Sequence, residues 1–269
     1  MVVPVLIVIG YSLFDNVITQ PDPTFAGSKN FVHLFATGDF PRAMANTAMF
    51  TATSVVCHMI IGVGFATMLN SKLLPAWITA IFRVVFILPW LFTAAVVAVL
   101  WRLMLDPHGV INYMLQQLHL ISATVPWFST PSTAMASIVV MNIWAGYPFF
   151  MISLLAGLQG IPTSLVEAAR VDGASGIRTF FNVVIPQLRP ILISMSMLDI
   201  LWTSQQFALI WLTTGGGPLN VTEMVSTFTY KAAFSDYEFS QASAAAVVLI
   251  AFSLIIAVIY VRSQRRAES

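Results

Sequence analysis

An all-helical protein that crosses a membrane several times is predicted by three observations. The 269 residues are 58% hydrophobic and only 9% charged, with a mean hydropathy of +0.85, against the roughly 25% charged residues of soluble domains. Charge-free stretches of spanning length recur along the chain, and one polar island, residues 167–190, separates two of them. A hydrocarbon core about 30 Å thick takes about 20 apolar residues in a helix, the conformation that satisfies its own backbone groups without water.

The elements follow in order. Met1 to Phe14 is apolar, but a run of that length rises only about 21 Å. No basic segment precedes it and no clean small-residue cleavage site follows. It therefore reads as the outer part of a first span whose start is missing from this chain, rather than as a signal peptide. Phe31, Leu34 and Phe35 recur at helical spacing within 15–41 and predict a short interfacial helix. Span two lies between Arg42 and Lys72, which enclose no Asp, Glu, Lys or Arg. Span three is Val84 to Trp101, bounded by Arg83 and Arg102. Val110, Ile111, Met114, Leu115 and Leu118 form a stripe opposed by Asn112, Gln116, Gln117 and His119, a second interfacial helix. Pro126 and its polar neighbours then precede span four, roughly 134–158. Span five runs from Pro190 to Leu212, interrupted only by Asp199, and span six from Phe239 to Val261. Six spans result, the first partial. The implied organisation is 1–42 for the partial first span and outer segment, 43–262 for the membrane domain with a loop at 160–188, and 263–269 for a tail.

Orientation follows from the basic residues. With the polar island inside, Lys72, Arg83, Arg170, Arg178, Arg189, Arg262, Arg265 and Arg266 are inside and Lys29, Arg42, Arg102 and Lys231 outside, which satisfies the positive-inside bias. A net charge of +1 gives no footprint for nucleic acid. Cys57 is the single cysteine, so no disulfide framework exists, and it reads as a small buried residue. The glycine-rich TTGGGP at 213–218 lacks the phosphate cradle GxxxxGK[ST], and HExxH, CxxC and GxSxG are likewise absent from the sequence. The chain carries no ATPase or hydrolase signature, so it is expected to be non-catalytic and to hold no metal or cofactor.

The island EAARVDGASGIRTFFNVVIPQLRP is punctuated like a docking element. Ser164 with Glu167 three places on predicts a capping box, and Gly173 a left-handed helix end. Residues 164–172 would make a rigid helix about 13 Å long with a low-relief face at Ala168 and Ala169. Ser175 starts a second short helix and Pro186 the next span. This segment resembles the cytoplasmic coupling loop of ABC importer permeases. AGSKNFVHLF with ANTAMF, FILPWLFTAAVVAVLWRLMLDPHGVINYML, NIWAGYPFF, LTTGGGPLNVTEMVSTFTYKAAF and QASAAAVVLIAF follow in the order seen in maltose-type, carbohydrate-uptake permeases. The resemblance implies a type I ABC importer permease in a bacterial or archaeal inner membrane, with its C-terminus cytoplasmic. Its implied partners are a second homologous permease, two ATPase subunits that bind ATP and Mg, and an extracytoplasmic solute-binding protein. It implies docking roles for Glu167, Ala168, Ala169, Arg170, Asp172, Gly173 and Arg178. The truncated first helix and the lack of a large outer domain depart from some family members.

Polar groups inside spans usually face the bundle interior or an aqueous path. Asp199, Trp202, Thr203 and Gln206 share one face of span five. Asn142, Ala145, Gly146 and Phe149 repeat that spacing in span four, and span three offers Trp90, Thr93 and Ala94. Aromatic platforms, amides and small residues suit sugars, which present C–H faces and hydroxyls. The expected path residues are therefore Trp90, Ala94, Asn142, Gly146, Phe149, Trp202, Thr203 and Gln206. The competing reading is helix packing, with Asp199 paired to a neighbouring helix or backbone donor. Two other classes stay open: an ion-coupled carrier titrating Asp199, which would commonly show internal repeats and broken helices, and an accessory membrane protein. Within the importer class, sn-glycerol-3-phosphate is the alternative solute, disfavoured because phosphate recognition favours arginine and no Arg or Lys lies on the proposed face.

Overall fold

The computed structural model describes residues 2–71 and 75–268, with side chains through Arg262. Lys72, Ser269 and the side chains of Arg265 and Arg266 lie outside the described residues. The regular structure of the described residues is helical apart from one hairpin of two two-residue strands. Helix α1 (Val2–Ser12) leads into β1 (Phe14–Asp15), which pairs antiparallel with β2 (Thr24–Phe25), a hairpin the apolar pattern did not signal. Asn30, on α2 (Lys29–Ala36), donates its side-chain amide to the carbonyls of Ser12 and Phe14, tying α2 to the end of α1. Within α2, Leu34 is buried and Phe35 exposed.

Among the described residues, four helices are long and apolar enough to span: α3 (Asp39–Asn70), α7 (Pro131–Gly160), the continuous helical run 176–204, and α13 (Phe239–Glu268), whose apolar part is Phe239–Arg262. A bent pair, α4 (Ala76–Leu91) and α5 (Ala94–Met104), supplies a fifth span if read as one. The described residues thus hold four spans, or five with the bent pair, against the six expected, because the apolar α1 is too short to cross by itself.

The centre is α7. Of its most apolar stretch 56% is buried, against 11% for the 176–204 run and for α13, so those two helices keep wide free faces in the single chain. Helix α3 packs along α7 at glycine contacts: a β-carbon added at Gly62 would lie 2.4 Å from the β-carbon of Phe150. Small residues let helix backbones approach where lipid offers no hydrophobic drive for association. A core of Ala66, Leu69, Phe150, Met151, Leu154 and Leu188 joins α3 and α7 to the 176–204 run. A second, around Phe50, Val97, Ile138, Met141, Leu209 and Ile210, joins α3, α5 and α7 to α11 (Ala208–Thr213). A third packs α2 and the start of α3 on α12 (Val225–Phe234) and α13.

Four expectations need correction. Span three is not straight: α4 and α5 meet at 101°. Pro89 lacks an N–H for the last turn of α4, Phe92 and Thr93 are extended, and the Thr93 hydroxyl accepts from Val96 N to start α5. Span five is broken as well, since α10 (Ile185–Ser204) ends before Gln205 and the chain restarts at Ala208. In α6 (Val110–Gln117) the stripe is turned about: Asn112 is buried and bonds Asp106 and Val125 through their backbone, while Val110, Met114 and Leu118 are exposed. A polar side chain has won the protein side because it satisfies three loop groups there. Finally, Ser164 is no cap; α8 (Thr163–Val171) starts one residue earlier after Pro162, whose fixed φ suits a helix start.

Candidate functional site

Two assemblies bring the functional candidates together. The first is the loop after α7. At the end of α8, Gly173 N–H donates to Arg170 O and Ala174 N–H to Ala169 O, with Gly173 at φ +80°. This is the paired closure of a helix by a left-handed residue, the conformation that glycine adopts without penalty. Ser175 accepts from Arg178 N to begin α9 (Gly176–Thr179), which passes through a π turn, Phe180–Val184, straight into α10. No residue of α8 is buried: Glu167, Ala168, Arg170, Asp172, Gly173 and Arg178 are exposed and Ala169 half-buried. Leu165, Val171, Ile177 and Phe181 are exposed among them. The loop is thus a stiff platform with mixed apolar and charged surface, joined without interruption to a spanning helix.

The second assembly is a cavity of about 220 Å³ between α3, α7, α10 and the α4–α5 bend. Trp90, Ala94, Asn142, Gly146, Phe149, Trp202, Thr203 and Gln206 all line it, together with Ala145 and Asp199. Thr93 does not; it is spent on the α5 cap. The break in span three carries Trp90 and Ala94 to the wall, and Gln206 reaches it from beyond the end of α10, its backbone carbonyl held by Ser226 Oγ at 2.7 Å. Phe149 stands between two tryptophans, its ring centre 6.4 Å from Trp90 and 5.1 Å from Trp202. Trp90 and Trp202 are 47% and 57% exposed. Gln206 Nε2 donates to Asn142 Oδ1 at 3.5 Å, while Asn142 Nδ2 is buried without a protein partner.

The sequence reading passed over His58. It lies in span two, which has no formal charge, and is 1% exposed. Its Nδ1 is 2.7 Å from Asp199 Oδ2 and its Nε2 3.0 Å from the Asn142 backbone oxygen. Thr203 donates its hydroxyl to Asp199 Oδ1 at 3.0 Å. Asp199 is therefore paired to a neighbouring helix, as expected, by a partner the sequence could have signalled: an imidazole deep in a span carries the same cost that made Asp199 conspicuous. Gly146 makes the arrangement possible, since a β-carbon there would sit 2.4 Å from the imidazole.

A family model described as binding-protein-dependent transport system inner membrane component matches residues 58–269. The chain is 33% identical over 253 residues to the probable ABC transporter permease protein YurN of Bacillus subtilis, covering 94% of this chain and 86% of that one. It is 32% identical over 231 residues to the trehalose/maltose transport system permease protein MalF of Thermococcus litoralis, covering 86% and 77%. Its fold is similar to a chain of the crystal structure of a bacterial ABC transporter involved in the import of the acidic polysaccharide alginate, with TM-score 0.80, 23% identity, and coverage of 100% and 93%. The match to the family model spans both the cavity and the exposed loop. This chain belongs to the family of binding-protein-dependent transport system inner membrane components.

Proposed function

We propose that the chain is one permease subunit of an ATP-driven importer and lines half of the path of an uncharged sugar or oligosaccharide. The observation that carries this reading is the cavity wall. Two exposed tryptophans flank Phe149, and the buried Asn142 amide has a donor with no protein partner. Such a wall stacks on pyranose faces and takes up a hydroxyl. No lysine or arginine lines it, and its two ionisable groups, His58 and Asp199, bond each other, so nothing is free to neutralise a phosphate. The solute of the Thermococcus relative agrees with a neutral sugar. Broken spans also occur in ion-coupled carriers, but the family match and the exposed loop favour the ATP-driven reading.

The stiff platform of α8 and α9 is the docking surface for a separate ATPase subunit, which supplies ATP and Mg chemistry. A second permease completes the path by covering the free faces of α10 and α13, and an extracytoplasmic binding protein delivers solute. The loop and the C-terminus face the cytoplasm of an inner membrane.

The test is uptake by reconstituted vesicles containing the complete transporter, offered a panel of labelled neutral disaccharides and sn-glycerol-3-phosphate. ATP-dependent uptake of a neutral sugar is expected; uptake of the phosphate ester alone would overturn the substrate class. In the same assay, Trp202→Ala and Gln206→Leu should each weaken apparent affinity about five-fold, the size of a contact worth about 1 kcal/mol. Phe252→Ala on α13, 42% exposed, should leave solute preference unaltered. A change in protein abundance alone for the α10 pair would assign that face to packing.

Orientation is checked by cysteine labelling of intact cells in a Cys57→Ser background. An impermeant reagent should label His119→Cys and spare Asp172→Cys. The reverse pattern would invert the topology.

A further inference from the structure

His58 and Asp199 have no task in the transport reading, yet their geometry is demanding. A backbone carbonyl oxygen only accepts hydrogen bonds, so His58 Nε2, 3.0 Å from Asn142 O, carries a hydrogen. If the ring were neutral, Nδ1 would then present a lone pair, and it stands 2.7 Å from Asp199 Oδ2. Two lone pairs do not approach that closely; a proton lies between them. It resides on Nδ1, giving imidazolium and carboxylate, or on Oδ2, giving imidazole and carboxylic acid. Both forms have the same proton count and no net charge, and Asp199 Oδ1 accepts from Thr203 in either.

The surroundings leave this proton no competing partner on the facing elements. From α7 the groups that face His58 are Asn142, Gly146 and Phe150, none of which titrates; Tyr147 turns toward Phe65, 5.2 Å between ring centres. The α4–α5 bend presents aromatic and aliphatic side chains to the cavity, and α11 presents Leu209. Cys57, next to His58 on α3, points about 100° around the helix. From α10 only Asp199 reaches the imidazole among the described residues.

The position of the pair gives it leverage. Gly62 and Gly146 fix α3 on α7 at van der Waals distance, and the His58–Asp199 bond ties α10 to that unit. Trp202 and Thr203 follow Asp199 by one turn. In the other direction the same helical run continues unbroken to Gly176, beside the exposed loop. We propose that His58 and Asp199 hold one shared proton, and that this proton seats α10 against α3 and α7 and so positions Trp202, Thr203 and Gln206 in the cavity. The pair positions; it does not itself need to touch solute. Its bearing on the cavity rests on the transport reading, whereas the shared proton does not.

Two measurements without any solute test it, on the complete transporter in nanodiscs. In protein labelled with 15N-histidine and 13C-aspartate at neutral pH, the His58 signals are those lost in His58→Gln. They should show Nε2 protonated, with a second proton on Nδ1 or on the Asp199 carboxyl. A bare Nδ1 beside an ionised Asp199 would overturn the proposal. The second measurement is melting temperature for wild type, Asp199→Asn and Asp199→Leu. An asparagine amide can donate to a neutral Nδ1, which keeps the hydrogen bond, whereas leucine cannot. Asp199→Leu should lose several degrees and Asp199→Asn much less. Equal losses in the two variants would show that the bond does not seat the helix and would overturn the proposal. Failure of sugar uptake in vesicles would leave both readouts standing and would count against the transport reading alone.

Discussion

Gly146→Leu is expected to cause the largest loss of stability of any single change in the membrane core. The added side chain begins 2.4 Å from the His58 ring, so the imidazole must leave both Asn142 O and Asp199. Overfilling a packed site costs about 1–3 kcal/mol. Removing one partner of a buried pair adds about 3–5 kcal/mol, because Asp199, 6% exposed, would be left uncompensated. The melting temperature of the purified protein reads the outcome, and a large drop with reduced membrane abundance is expected. His58→Gln in the Gly146→Leu background tests the contribution of the pair: with the imidazole already gone, the added leucine should cost less than it does in wild type. Equal losses in both backgrounds would show that the His58–Asp199 bond adds nothing beyond close packing.

Charge reversal in the exposed loop, Glu167→Lys, is expected to abolish ATP-driven uptake while the protein stays folded and inserted. Glu167 is exposed and has no partner to lose within the described chain, so its contribution to the fold is small. At a docking surface, however, a misplaced charge costs several kcal/mol, and uptake should fall by more than about ten-fold. Gly173→Leu should act on the same platform through the backbone. There is open space around Gly173, so the penalty is conformational, about 1–2 kcal/mol for a side chain at φ +80°. The end of α8 then reshapes, and docking weakens with it. Pull-down of the ATPase subunit and uptake per inserted molecule check both variants. Normal uptake with either would remove the loop from the coupling role.

Much of this architecture was legible because membrane spans are written in composition. Charge-free intervals found α3, α7 and α13 within a few residues, since a bilayer core excludes charge along a whole helix length. The exposed loop was legible for a local reason: Gly173 and Ser175 act on backbone groups within five residues of themselves. Ser164 misled for the same locality, as Pro162 had already set the helix start.

The sequence by itself determined the class, the places of the long apolar segments, the loop that interrupts them and the side chains that line the cavity. The tertiary structure decided how those segments bend and what they hold. The 101° turn at Phe92–Thr93 is set by Pro89 and the Thr93 cap, and the restart at Ala208 is held from another helix, with Ser226 on the Gln206 carbonyl. A periodic apolar pattern carries no record of such bonds. Only the fold showed that Asp199 meets His58, 141 positions away, through space that Gly146 leaves open. His58 and Asp199 each stand out in an apolar helix, but only close packing at Gly146 brings the two to one point.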